Sequence, residues 1–125
     1  MPLRLDRDEF EKMVSLALDE LPDWVREHMN NVAVTLALWP SREQLDSVGA
    51  RHRGSLLGLY EGIPLTRRGR GYYLTPPDRI TLFQRPLERH AGSRSHLVEL
   101  IRDTIVHEVA HHFGLSDAHL RELNR

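Results

Sequence analysis

Residues 107–117 read His-Glu-Val-Ala-His-His-Phe-Gly-Leu-Ser-Asp. Two histidines stand at i and i+4, with a glutamate directly after the first. A glycine follows three residues after the second histidine, and an aspartate three beyond that. Positions four apart share one face of a helix, about 6 Å apart along its axis. His107 and His111 are therefore spaced to grip one metal ion, while Glu108 projects beside it, placed to take a proton from a water polarised by the metal. Gly114 permits the left-handed turn that reverses a chain after a helix, and such a turn would bring Asp117 back as a third protein ligand. Zinc in a hydrolytic site takes three protein ligands, leaves a fourth position to water, and lowers the pKa of that water to about 7. Glu108 would then act as general base and afterwards as acid towards the leaving amine. Asp117 also suits the first turn of a last helix, where the helix dipole favours an acid; the two roles are compatible.

These side chains need a rigid support, and the flanking sequence offers one. Ser93-Arg-Ser-His-Leu opens a long helix through Phe113, with Gly114 placed to stop it. Leu97, Val98, Ile101, Ile105 and Val109 form an apolar stripe along it, suited to packing on a sheet, whereas Leu100, Thr104, His107, Glu108 and His111 lie along another side, where a cleft would be. Upstream, Asp6-Arg-Asp-Glu-Phe opens an amphipathic helix carrying Phe10, Met13, Val14, Ala17, Leu18 and Leu21, with acids crowding its first turn. Pro22 closes it and starts a short helical turn to Met29. Val32–Leu38 has the large–small alternation of a buried strand. Leu56–Glu61 and Arg79–Gln84 are two further strands. Ser41–Val48 suits a short helix, Gly49–Gly54 a loop, and Ser116–Leu123 a final short helix. Gly62–Asp78 is a long loop carrying Arg67, Arg68 and Arg70 with Tyr72 and Tyr73. Loops of that length in a small domain are functional or mobile. The chain therefore reads as one α+β domain over residues 1–125, with a small mixed sheet of about three strands packed on an N-terminal helix and the long helix, and a short helix at its C-terminal end.

Composition narrows the classes further. A net charge of −1 gives no electrostatic case for nucleic acid or an anionic membrane as partner. There is no cysteine, which excludes disulfides and thiolate metal sites. The N-terminal stretch is charged and lacks the apolar core of a secretory signal, and the longest apolar run, Val32–Trp39, is too short to span a bilayer. The expected location is cytoplasmic.

The motif resembles that of zincin metallopeptidases, and its His-Glu-x-x-His-x-x-Gly-x-x-Asp form looks like the aspartate variant of the extended metzincin signature. More closely, the chain resembles a family of small bacterial zincin-like metallopeptidases. The segments that carry this are Leu56-Leu-Gly-Leu-Tyr-Glu-Gly-Ile-Pro-Leu-Thr, Pro77-Asp-Arg-Ile-Thr-Leu-Phe, Pro86-Leu-Glu and His107 through Leu120; the resemblance covers roughly residues 8–124. It implies a compact zincin half-domain with Zn2+ held by His107, His111 and Asp117, with Glu108 as the catalytic residue and a peptide or protein as substrate. Residues 118–125, which follow Asp117, hold no methionine, so neither the methionine turn of true metzincins nor a lower subdomain to wall the cleft is expected from them, and a protein partner that completes the cleft is an expectation.

Three functions stand open on the residues alone: a zinc peptidase, a metal-dependent endoribonuclease or RNA-processing protein with Arg67–Arg70 on phosphates, and a non-catalytic zinc-stabilised interaction domain. Glu108 favours the first, because it supplies the base that peptide hydrolysis needs. Among secondary candidates, His112 is turned about 100° from His111 and suits packing. His96 and His119 are reserve ligands better placed at the surface. Either Leu56–Glu61 or Ile80–Gln84 could offer a strand edge to an extended substrate. Tyr72 and Tyr73 suit ring burial better than oxyanion stabilisation.

Overall fold

A computed structural model of the chain describes residues 3–62 and 77–115. Helix α1 spans Arg7–Asp19. Its start is fixed by a capping box, in which the Asp6 carboxylate accepts the Glu9 N–H at 2.8 Å and the Glu9 carboxylate accepts the Asp6 N–H at 3.4 Å. Those bonds satisfy two donors that a helix end otherwise leaves open. Pro22 interrupts the chain and caps α2, Asp23–His28. Strand β1 (Val32–Ala37), helix α3 (Arg42–Ser47), a 3-10 turn (Arg53–Ser55), β2 (Gly58–Glu61) and β3 (Asp78–Phe83) follow. Helices α4 (Gln84–His90) and α5 (Arg94–His112) complete the described elements.

The three strands form one mixed sheet in the order β1-β3-β2, with β1 parallel and β2 antiparallel to β3. Register puts Val34 and Tyr60 on either side of Ile80, and Leu36 and Gly58 on either side of Leu82. Side chains alternate across a strand, so this set shares the face that meets the helices, and Ile80 and Leu82 are fully buried there. On α5, Leu97, Ile101, Ile105 and Val109 are all completely buried, as their stripe predicted, against Phe10, Val14 and Ala17 of α1. Burying each such aliphatic side chain contributes about 1.5–3 kcal/mol over leaving it exposed. That stripe holds α5 to the sheet with its opposite side outward.

Two parts differ from the sequence reading. Gln84 does not end the third strand but opens α4, a helix that the sequence did not suggest because Pro86 reads as a breaker. Pro86 stands in the first turn of α4, where an N–H has no helical partner to lose. The first strand, expected to be buried, is half-buried throughout because it lies at one side of the sheet rather than at its centre.

Helix α4 also carries the most buried carboxylate described. Glu88 is 1% exposed. Its Oε2 accepts the Leu5 N–H at 2.9 Å and the Gln84 Nε2 at 3.1 Å, while its Oε1 accepts Arg85 Nη1 at 2.6 Å. Gln84 Nε2 also donates to the Leu5 carbonyl at 2.9 Å. A buried charge is tolerated only when paired and hydrogen-bonded in this way, and the network pins the segment ahead of α1 to α4.

Candidate metal centre

Helix α5 begins at a serine cap, with Ser93 Oγ accepting the His96 N–H at 3.1 Å. It ends in a Schellman turn. Gly114 has φ +69°, its N–H donates to the His111 carbonyl at 3.2 Å, and the Leu115 N–H reaches back to the Ala110 carbonyl at 2.8 Å. This is the paired closure by which a left-handed glycine satisfies the last carbonyls of a helix. The turn therefore fixes the backbone of His111 itself and stops the helix where the sequence placed its stop. Leu115 then packs against the core.

Within that frame His107 and His111 come together one turn apart on the outward side of α5, both exposed. Neither ring makes a hydrogen bond or ion pair with any described residue. Among the described residues their nitrogens are thus uncommitted, and the helix beneath them is anchored by Ile105 and Val109. Two imidazoles presented in this way fit a zinc ion, which favours nitrogen donors at tetrahedral positions. Among the described residues no three His, Asp or Glu side chains are grouped to hold a metal. Asp117, the expected third ligand, and His119 lie outside the described residues, as do Arg67, Arg68, Arg70, Tyr72 and Tyr73 of the long loop.

Glu108, half-buried beside the histidines, does something that the sequence did not disclose. Its Oε1 accepts the backbone N–H of Tyr60 in β2 at 2.8 Å. The direction of that N–H follows from the sheet. The Phe83 N–H donates to the Leu57 carbonyl at 2.9 Å, so in this antiparallel pair residues 57, 59 and 61 turn their backbone groups towards β3. Gly58 and Tyr60 turn theirs to the outer side, where no strand pairs among the described residues. Glu108 reaches up from α5 to that side of β2.

Strand β2 is held firmly in place there. A Cβ on Gly58 would lie 2.7 Å from Thr104 Cγ2 and 3.3 Å from the Thr81 carbonyl oxygen, so only glycine allows α5 to come this close. The Thr104 hydroxyl is itself tied to the Leu100 carbonyl at 2.7 Å. The Tyr60 ring stacks on His112, with centroids 3.9 Å apart and planes at 17°, and its hydroxyl donates to Asp78 Oδ2 at 2.7 Å. His112 Nε2 stands 3.9 Å from the same carboxylate oxygen. His112 thus has the packing role expected of it. Phe113 and His28 close the group, their ring centroids 4.6 Å apart.

The reserve ligand His96 lies in the first turn of α5, eleven residues before His107 and so about 16 Å away along the axis, where its Nδ1 accepts the Gly92 N–H at 2.9 Å. It takes no part in the centre. Of the two strands considered as peptide edges, Ile80–Gln84 is removed, because β3 is central and paired on both sides. Tyr60, Gly58, Asp78 and His28 were the residues missed. The alternation of Leu56–Glu61 places Gly58 and Tyr60 on one face, but nothing local says which helix that face meets.

No helix among the described residues is long and apolar enough to cross a membrane. Compared with known proteins, residues 29–125, more than three quarters of the chain, match the model of one family, described as zincin-like metallopeptidase. The match takes in the sheet, α4, α5 and the whole motif, and starts after α1. No curated protein matches the chain.

Proposed function

The chain belongs to the zincin-like metallopeptidases, and on that premise we propose that it hydrolyses peptide bonds with Zn2+ held by His107, His111 and Asp117 and with Glu108 as general base. The observation that carries this is the arrangement on α5: two imidazoles one turn apart, uncommitted among the described residues, with the carboxylate of Glu108 beside them and facing the outer side of a strand. When bound, zinc supplies Lewis-acid polarisation of water and of the scissile carbonyl. The remaining work falls to the chain. Glu108 takes the proton from the attacking water and returns it to the leaving amine. The outer side of β2, which presents backbone groups from Gly58 and Tyr60, orients an extended peptide across α5. The Schellman turn at Gly114 keeps the backbone of His111 in place. A peptide or protein is the substrate, with a protein partner as one way of walling the cleft.

The test uses purified full-length protein. Metal analysis with added zinc should give one equivalent of zinc bound, and Glu108→Gln should keep that zinc while lowering turnover of a quenched peptide library by about 10²–10⁴-fold, the usual worth of a general base. Absence of bound zinc removes the metal assignment. Equal turnover by wild type and Glu108→Gln removes Glu108 from the chemistry.

A further inference from the structure

Tyr60 directs its N–H to the outer side of β2, the position where a peptide adding a strand would offer a backbone carbonyl. Glu108 Oε1 already accepts that N–H at 2.8 Å. A single N–H makes one well-directed bond, so the carboxylate and a peptide carbonyl compete for it. Strand β2 cannot shift to serve both. Gly58 is in close contact with Thr104, and the Tyr60 ring is clamped between its stack on His112 and its bond to Asp78.

We propose that Glu108 is latched to β2 through the Tyr60 N–H in the free protein, and that the backbone carbonyl of an extended polypeptide pairing with β2 displaces it and frees it for catalysis. The proposal rests on the reading of Glu108 as the base, and it narrows the substrate class. Extended polypeptide segments long enough to cover Tyr60 release the carboxylate, whereas single-residue amides leave it held. An interaction away from the scissile bond then appears in kcat and not only in KM. The latch also keeps the base occupied when no chain lies along β2.

The decisive comparison is between Glu108→Ala and Glu108→Gln, each with zinc added. Neither has the carboxylate, but the amide oxygen of Glu108→Gln can still accept the Tyr60 N–H and the methyl of Glu108→Ala cannot. Decapeptides recovered from a random phage library panned on Glu108→Ala are synthesised, and their binding to both variants is measured by fluorescence anisotropy. The expected result is binding to Glu108→Ala roughly 5-fold tighter than to Glu108→Gln, the worth of one hydrogen bond. Amide hydrogen exchange at Tyr60 should be slow in wild type and Glu108→Gln, fast in Glu108→Ala, and slow again when the peptide is added. Equal affinities, no recovered peptide, or a Tyr60 amide indifferent to residue 108 overturns the latch. These readouts need no turnover. A failure of Glu108 as base shows instead as unchanged hydrolysis in Glu108→Gln.

Discussion

At the level of single residues, what separates His107 and His111 from the other histidines is the absence of any competing partner among the described residues. His28 is bonded through Nδ1 to the Trp24 carbonyl at 2.7 Å, His90 through Nδ1 to the Pro86 carbonyl at 2.8 Å, and His112 is stacked on Tyr60. An Nδ1 so engaged is closed to a metal and holds its ring in place, whereas both nitrogens of His107 and of His111 are open among the described residues. The ligands should therefore separate cleanly by mutation. His107→Ala and Asp117→Ala should each weaken zinc binding by more than about 100-fold, beyond the 10–100-fold that losing an outer hydrogen-bond partner of a ligand costs. His112→Ala should leave the affinity within a few-fold of wild type. Competition with a chromophoric chelator measures all three, and wild-type affinity in Asp117→Ala would show that the aspartate is no ligand.

Among the elements, the contact between β2 and α5 sets the geometry, and Gly58 is its closest point. Gly58→Ala would bring a methyl to 2.7 Å from Thr104 Cγ2, a distance that such atoms do not keep, and the Thr104 rotamer is fixed by its bond to Leu100. Strand or helix must move. The variant should lose about 1–3 kcal/mol, as overpacking does, and the Tyr60 amide should lose protection as Glu108 draws away. Adding Thr104→Ser removes the obstructing methyl and should recover much of both; urea unfolding and amide exchange on the single and double variants check it. A double variant no better than Gly58→Ala would mean that the crowding lies at the Thr81 carbonyl instead. This junction also shows what a sequence reveals. Helix α5 and its motif were legible because three local signals agree: the Ser93 cap, the stripe from Leu97 to Val109, and Gly114 at the stop. Helix α4 was not, since the same Pro86 reads as a stop when the helix start is unknown. The Tyr60–Glu108 bond was not legible either. It joins residues 48 apart, and its existence depends on how closely α5 approaches β2, which no local pattern encodes.

On the scale of the whole molecule, one polar network ties the segment ahead of α1 to α4. Removing its acceptor strands an arginine and a backbone N–H in a nearly dry place. Glu88→Ala should therefore destabilise the protein by about 3–5 kcal/mol, the cost of breaking a buried pair from one side, with little effect on zinc affinity in the protein that remains folded. Chemical denaturation followed by circular dichroism measures it, and a loss below about 1 kcal/mol would mean that water replaces the carboxylate. The same network fixes a timetable for synthesis. Leu5 bonds to a residue 83 positions later, and the apolar side of α1 is covered by α5, which begins later still. At about 5–20 residues per second of translation, α1 leaves the ribosome roughly 4–17 s before the surface that will cover it. Phe10, Val14 and Ala17 spend that interval in water, which leaves the apolar side of α1 open to a chaperone until α5 is made.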